Sequence, residues 1–158
     1  MIDISCLTGY MKKKLLSAID RLAPRLKEAS LFIHKNPEPS FEEHKAQDAL
    51  TKLLEDSRFD VKRGVGGLAT AFTGEYGLGS SRPVIGFIAE YDALPGIGHG
   101  CGHNLIGPSS VGAAIALASV LDPRSCRLKV IGTPAEERGG GKIRLIEAGI
   151  FNGLDAAM

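Results

Sequence analysis

The hydrophobic positions of the chain alternate between a helical spacing and short continuous apolar runs. Between about 15 and 34, apolar residues recur every three or four positions, which predicts a helix that Pro24 kinks or restarts. The sequence Ser-Phe-Glu-Glu that begins at Ser40 matches a capping box with Glu43 at the third helical position. This pattern predicts a second helix over about 41–57.

Short apolar segments farther along the chain are predicted as strands. Segments 68–73 and 83–90 flank a Gly/Ser-rich turn and resemble the two arms of a hairpin. The second of them contains the run Val-Ile-Gly-Phe-Ile-Ala, which is typical of a strand buried on both faces. Segment 127–133 is predicted as a further strand, and another apolar run begins at 154–158.

Helical patterns separate the later strands. A buried helix of small residues is predicted over 110–121, and a short helix closed by Gly149 is predicted over 140–149. Strands that alternate with helices predict an α/β domain with a largely parallel sheet, whose sites lie at the carboxyl ends of the strands. The 158 residues contain no linker, repeat or low-complexity block, so we expect one domain.

Composition and charge exclude several functional classes. A net charge of +1 and an aromatic content of 6% without tryptophan give no support to a nucleic-acid partner. The odd cysteine count disfavours a secreted disulfide scaffold; Cys6 and Cys126 are interpreted as structural, and His34 and His44 as surface residues of helices. No segment approaches the ~20 apolar residues of a membrane span, and no signal segment begins the chain. We therefore expect a soluble, cytoplasmic protein without a membrane partner.

Cys101 and His103 form the first feature with chemical potential, in the glycine-rich segment after the strand at 83–90. A thiolate and an imidazole two positions apart can turn toward one centre, because Gly100 and Gly102 let the backbone bend sharply. Sulfur and imidazole suit zinc or another late first-row metal. The alternative is a buried cysteine beside a surface histidine, and the pair alone leaves both open.

Acidic residues follow two of the predicted strands. Glu136 and Glu137 come after segment 127–133. Adjacent carboxylates are commonly a charged surface turn, but at this edge of a sheet one could bind metal while the other accepts a proton from the attacking water. Glu90 and Asp92 follow the other strand. Asp92 either caps the next turn or orients a ligand imidazole, and the nearby cysteine and histidine favour the second role.

Two competing interpretations are weaker. The Gly-Gly-Gly-Lys run that ends at Lys142 is not a phosphate-binding loop, because Glu136 and Ile143 occupy the positions that such a loop gives to Gly and to Ser or Thr. A cysteine-dependent acyl transferase with Cys101 as nucleophile is an alternative, but no oxyanion-type motif accompanies the cysteine.

Taken together, EYDALPGIGHGCGHNL and GTPAEERGGGK are similar to the motifs of the aminoacylase/carboxypeptidase-type metallopeptidase family. The Cys-Gly-His-Asn form resembles its amidohydrolase branch, and within that branch the β-alanyl-lysine-type dipeptidases. Segment 33–46 also matches, so the resemblance extends from about residue 15 to the last residue. It implies a three-layer αβα zinc-peptidase-like domain with two divalent metal ions, zinc or manganese. It further implies an enzyme, typically homodimeric, that cleaves N-acyl amino acids or small dipeptides.

The resemblance also assigns roles to individual residues. Three of them match metal ligands of the family: Cys101, His103 and Glu137. Glu136 matches the general base that activates water, and Asp92 matches the aspartate that sets up a ligand. Glu90 lies where relatives outside this branch carry a metal-binding histidine, so it is a further candidate. His99 receives no role.

The chain differs from the family in length. Family chains are more than twice as long, and beyond a strand like the one starting at Leu154 they carry further metal-binding histidines and an inserted lid and dimerisation domain. Residues 1–158 are therefore expected to be the N-terminal portion of a single catalytic domain with an incomplete sheet. Two hypotheses follow. One is a metal-dependent amide hydrolase that uses Glu136, and the other is a non-catalytic fragment or metal-binding module.

Overall fold

The computed structural model describes residues 9–158, and the interpretation of Cys6 as structural falls outside that range. Helices and strands alternate along most of the described chain. In order they are α1 (Gly9–Lys35), α2 (His44–Asp56), β1 (Asp60–Arg63), a 3-10 turn (Val65–Gly67), β2 (Phe72–Tyr76), β3 (Val84–Ala89), α3 (His103–Ala118), β4 (Arg127–Gly132), α4 (Gly141–Glu147) and β5 (Ala156–Ala157). None of these helices is both long and apolar enough to cross a membrane.

The five strands form one mixed sheet in the order β1-β2-β4-β3-β5. Strand β3 runs parallel to β4 and to β5, and these three strands make up the parallel part of the sheet. Strands β1 and β2 extend it with antiparallel pairings, β1 to β2 and β2 to β4. The predicted α/β class is confirmed.

Two apolar clusters form the core on opposite faces of the sheet. Alternate residues of β4 enter different clusters: Leu128 and Val130 pack with residues of α1, α2 and α3, whereas Ile131 packs with Leu145 of α4. Helix α3 approaches α1 closely at Gly112, where an added Cβ would lie 2.4 Å from a methyl carbon of Leu26. Within the described chain, helices α1, α2 and α3 therefore cover one face of the sheet and α4 packs on the other.

The predicted hairpin between 68–73 and 83–90 is wrong. Strand β2 begins only at Phe72, and it pairs with β1 and β4 rather than with β3. Both edges of β3 are occupied, one by β4 and the other by β5, so no edge remains for β2. Strand β1 has a mostly exposed, polar sequence, Asp-Val-Lys-Arg, and gave no apolar signal.

The predicted capping box at the start of α2 is also wrong. The helix begins at His44, and Glu43 is its N-cap without a side-chain capping bond. Ser40 donates its hydroxyl to Asp92 instead. The Glu43 side chain is fully buried and accepts hydrogen bonds from three other groups. Tertiary donors have therefore displaced the local capping arrangement.

The remaining helices differ from prediction mainly at their ends. Helix α1 extends from Gly9, the first described residue, and continues through Pro24 without a restart. Helix α3 starts at His103, seven residues before the predicted position, and includes Pro108 in its second turn. The predictions for β4 and α4 agree with the structure to within two residues, and Gly149 follows α4 with a φ of 75°.

Candidate metal centre

The candidate site lies where the parallel strands β3 and β4 end side by side. Ala89 pairs with Gly132 at the end of the two strands, and the backbone N–H of Thr133 donates to the carbonyl oxygen of Ala89 at 2.8 Å. The segments that follow, 90–93 and 133–137, therefore leave the sheet next to each other. This is the edge at which α/β domains build their sites.

His103 is the first residue of α3 and is almost completely buried, with 4% of its surface exposed. Gly102 before it has a φ of 82°, which turns the chain into the helix. Both a carboxylate oxygen and the carbonyl oxygen of Asp92 lie 3.0 Å from His103 Nδ1. Because these partners are acceptors, Nδ1 donates to Asp92, and Nε2 is the ring nitrogen that faces the acidic residues.

Three carboxylates face His103 Nε2. The nearest oxygen of Glu90 is 3.5 Å away, that of Glu136 is 3.7 Å away and that of Glu137 is 3.9 Å away. The possible ligand atoms of His103, Glu136 and Glu137 all lie within 4.8 Å of one another. One imidazole nitrogen with carboxylate oxygens is a donor set that fits zinc or manganese, so the residues present suit a divalent metal ion.

Asp92 connects three segments of the chain, and only 1% of it is exposed. Besides orienting His103, it accepts a hydrogen bond from the Ser40 hydroxyl at 3.1 Å and one from the backbone N–H of Glu137 at 3.0 Å. The carboxylate therefore fixes the imidazole and the backbone of an acidic neighbour at the same time. Carboxylates behind ligand histidines perform this orienting function at metal sites.

Glu90 forms an ion pair with Lys142, a residue that the sequence suggests only as part of a glycine-rich run. Lys142 follows the first residue of α4, so the turn after β4 brings its ammonium group to the same edge of the sheet. The pair neutralises Glu90, whose other carboxylate oxygen faces His103. The sequence offers one signal for this contact, a lysine that follows shortly after the acidic residues at the end of β4.

Cys101 lies beside this cluster on an exposed turn. The interaction of its thiol with the Glu137 carboxylate, and then desolvation and the charges of Glu136 and Asp92, raise the pKa of the thiol. The alternative of a buried cysteine beside a surface histidine is wrong in both parts, because the cysteine is exposed and His103 is buried. Cys126, by contrast, is buried, as its structural interpretation requires.

The other histidines lie outside the cluster. His34 and His44 are exposed, as predicted. The His99 ring stacks with His34 at a centroid distance of 6.4 Å. Neither ring nitrogen of His99 has a hydrogen-bond partner in the described chain, and burial lowers the pKa of the ring.

Known proteins were compared with this chain by sequence and by structure. It is 43% identical over 157 residues to Xaa-Arg dipeptidase from Mus musculus, covering 92% of the chain and 36% of that protein. It is 35% identical over 160 residues to a p-aminobenzoyl-glutamate hydrolase polypeptide from Escherichia coli, covering 89% and 33% of the two chains. The fold matches a dinuclear metal-binding peptidase of the M20 family from Bacillus subtilis with a TM-score of 0.76 and 28% identity, covering 87% and 42%.

These comparisons confirm the resemblance to the aminoacylase/carboxypeptidase-type metallopeptidases: over most of its own length the chain is similar to part of a dipeptidase, part of an aminobenzoyl-glutamate hydrolase and part of an M20-family peptidase. No family model matches the sequence. The chain spans about a third of the length of the curated relatives that it matches.

Proposed function

We propose that the protein that contains this chain is a metal-dependent hydrolase of amide bonds in dipeptides or N-acyl amino acids. The observation that carries the proposal is the convergence of His103, Glu136 and Glu137 at the carboxyl ends of β3 and β4. The named relatives support it, because they are a dipeptidase and an aminobenzoyl-glutamate hydrolase. We further propose that residues 1–158 are an N-terminal portion of one catalytic domain, without the lid and dimerisation domain.

His103 and Glu137 would hold a metal ion, with Cys101 beside them as a further ligand. Asp92 supports this assignment, since it orients the His103 ring and accepts a hydrogen bond from the Glu137 backbone. The dinuclear metal binding of the Bacillus subtilis neighbour supports a pair of divalent metal ions in the complete enzyme, and we propose zinc or manganese for them. When bound, divalent metal ions supply Lewis acidity toward the amide carbonyl and lower the pKa of water.

Glu136 would act as the general base, and its exposure supports this role. The Glu136 side chain is 41% exposed, whereas that of Glu137 is 14% exposed, so Glu136 is the freer of the two to meet water and substrate. Its carboxylate would take a proton from the attacking water and then return it to the departing amine nitrogen. The second transfer is required because an amine leaves an amide readily only when it is protonated.

Replacement of the proposed base tests this function. Glu136→Gln keeps the shape of the side chain but cannot accept the proton, so we expect hydrolysis of an Xaa-Arg dipeptide or p-aminobenzoyl-glutamate to fall by about 100-fold or more. Binding of Zn²⁺ or Mn²⁺, measured by calorimetry, should change little. Glu147→Gln is the matched control, since Glu147 is exposed on α4. Hydrolysis within a few-fold of wild type, with metal retained, would refute the assignment.

A metal-binding module without catalytic activity is the second candidate. It is favoured by a cluster of only three metal-binding side chains within the described residues. The two candidates differ in a direct measurement on the complete protein that contains residues 1–158. The module binds Zn²⁺ or Mn²⁺ but does not release arginine from an Xaa-Arg dipeptide, whereas the hydrolase does both. For either candidate we propose a cytoplasmic location, and for the complete enzyme a homodimer.

A further inference from the structure

Glu43 occupies an unusual position for an acidic residue, since none of its surface is exposed. One carboxylate oxygen accepts hydrogen bonds from the backbone N–H of Phe41 and of Ala135, each at 2.9 Å. The other accepts the hydroxyl of Thr70 at 2.7 Å. Burying a carboxylate is costly, so a group retained in such a position is expected to have a specific structural purpose.

The two backbone partners of Glu43 share a rare conformation. Three non-glycine residues of the described chain have a positive φ, and two of them are Phe41 at 68° and Ala135 at 57°. Side chains with a Cβ atom rarely adopt this left-handed region, and they remain there only when the surroundings impose it. The buried carboxylate of Glu43 therefore accepts hydrogen bonds from the N–H groups of both Phe41 and Ala135.

Ala135 directly precedes the acidic pair of the metal centre. Its left-handed backbone sets the direction in which the chain enters Glu136 and Glu137 after β4. Its carbonyl oxygen accepts the N–H of Gly141 at 3.3 Å, which brings the start of α4 back to the same turn. Among the described residues Glu43 forms no hydrogen bond with either acidic residue, so its connection to them passes through Ala135.

Neighbouring contacts reinforce this connection from the same side. Thr70, which donates to Glu43, accepts the hydroxyl of Tyr91 at its carbonyl oxygen at 2.6 Å. Tyr91 is fully buried and directly precedes Asp92. The segments after β3 and after β4 are thus connected to one buried carboxylate through backbone and hydroxyl groups.

We propose that Glu43 is a positioning residue, whose buried carboxylate holds Ala135 in the left-handed conformation that directs Glu136 and Glu137 into the metal centre. The proposal rests on the function proposed above only in the roles of those two glutamates. It assigns Glu43 no contact with metal, water or substrate. Its consequence is that the geometry of the acidic pair depends on a residue about ninety positions earlier in the chain.

Residue-resolved hydrogen exchange tests the proposal without any assay of hydrolysis. In Glu43→Ala the Ala135 amide loses its acceptor, so we expect it to exchange at least tenfold faster than in wild type, while Val130 in the core of β4 keeps its protection. Affinity for Co²⁺, followed by calorimetry, should fall about tenfold because the acidic pair is no longer held. Glu42→Ala is the matched control, since Glu42 is the exposed neighbour and should change neither quantity.

The conservative variant separates positioning from general stability. Glu43→Gln retains an oxygen for the Phe41 and Ala135 amides and an NH₂ group for the Thr70 oxygen, so Ala135 protection and Co²⁺ affinity should return to within threefold of wild type. If Glu43→Ala does not fold, Glu43→Asp takes its place. That carboxylate is one methylene shorter, and we expect at least fivefold faster exchange at Ala135.

Specific outcomes would overturn the proposal. Wild-type protection of Ala135 and unchanged Co²⁺ affinity in Glu43→Ala, or in Glu43→Asp where the alanine variant does not fold, would show that Glu43 does not hold the turn. Equal loss of protection at Ala135 and Val130 would show global destabilisation instead. Failure of the proposed function would look different, because the wild-type protein would then not hydrolyse the amide substrates while the exchange results stayed as expected.

Discussion

The two ends of the parallel strands β3 and β4 both carry charged side chains, but they balance these charges differently. At the amino end each acid has its own arginine, Asp155 with Arg82 at 2.9 Å and Asp122 with Arg124 at 2.7 Å. At the carboxyl end, acids outnumber cations. Four carboxylates surround one imidazole and one ammonium group: Glu90, Asp92, Glu136, Glu137, His103 and Lys142.

The comparison shows that charge density alone does not mark a site. In the ion pairs at the amino end, each aspartate charge is neutralised by an exposed arginine. These pairs contribute little to the stability of the fold and leave no charge that requires another cation. The carboxyl end holds more negative charge than its own cations neutralise, and part of that charge is buried. Such an arrangement is costly unless a cation is added, which is the physical reason to expect a metal ion there.

Removal of Asp92 should produce the largest effect. In Asp92→Ala the His103 ring loses its carboxylate partner and the Glu137 amide loses its acceptor, so affinity for Zn²⁺ should fall about 10- to 100-fold. The free energy of unfolding without metal should fall by about 2–4 kcal/mol, because buried polar groups are left unpaired. Calorimetry and urea denaturation measure these quantities.

Asp155→Ala provides the matched change at the amino end of the strands. Its carboxylate accepts from the Val84 amide and from Arg82, but it is partly exposed, so water can replace it. Zn²⁺ affinity should be unchanged in this variant. Equal losses of affinity in both aspartate variants would remove the distinction between the two ends.

Added bulk should also act differently at the two ends. An alanine at Gly141 would place its Cβ 1.9 Å from the Pro134 carbonyl oxygen, whereas one at Gly79 meets nothing within 4 Å. Because the obstacle at Gly141 is backbone, Gly141→Ala should lower the free energy of unfolding by about 1–3 kcal/mol. Gly79→Ala should change it by less than about 0.5 kcal/mol. Urea denaturation measures both free energies of unfolding. An unchanged free energy of unfolding in Gly141→Ala would contradict the close packing of the 134–141 turn.

The pH dependence of stability should have opposite signs at the two ends. At the carboxyl end, burial raises the pKa of Glu43 above 4.5. The unfolded chain then loses this proton first, so the stability associated with protonated Glu43 is present below 4.5 and is lost as the pH rises through the folded-state pKa. Relative to wild type, Glu43→Gln should therefore be more stable at about pH 7 than at about pH 4, as measured by urea denaturation. The reverse trend would contradict the direction of the shift.

The smallest effect is expected at Asp122. Hydrogen bonds from the Arg124 side chain and backbone lower the Asp122 pKa from 3.8 to about 2. The associated stability is present above pH 3.8 and is lost as the pH falls through about 2. Arg124→Gln should return the Asp122 pKa toward 3.8 in an NMR titration and lower stability at neutral pH only slightly, because both side chains are exposed. A pKa that stays near 2 would assign the shift to the backbone alone.

The sequence predicted those parts of the fold that depend on local pattern. The apolar runs predicted β3, β4 and most of α3, because a strand or helix buried on all sides needs apolar residues throughout. Strand pairing was not predictable in the same way. The position of β2 depends on which edges of β3 and β4 remain free, and β1 is a polar edge strand whose partner alone gives it structure.

The candidate site, like the fold, was predictable from the sequence only in part. Glu136, Glu137 and His103 were predicted as a group because strand ends and glycine-rich turns are visible in the sequence. The role of Glu43 was mistaken, since a short motif suggested a helix cap while its partner, Ala135, is far away in the chain. The contact of Lys142 with Glu90 was missed because it depends on how α4 folds back after β4.

The sequence distances within the candidate site bear on the order of folding. Asp92 bonds groups 52 and 45 positions away, and Glu43 bonds one 92 positions away. Closing loops of this length costs chain entropy before the favourable contacts have formed. Contacts between such distant residues therefore form late in folding. The paired strands are separated by similar distances, for example 43 positions between Val84 and Arg127, so the acidic turn should form together with the parallel sheet. A nascent chain would then be able to bind its metal ion only after this long-range step, whatever local helices had formed before it.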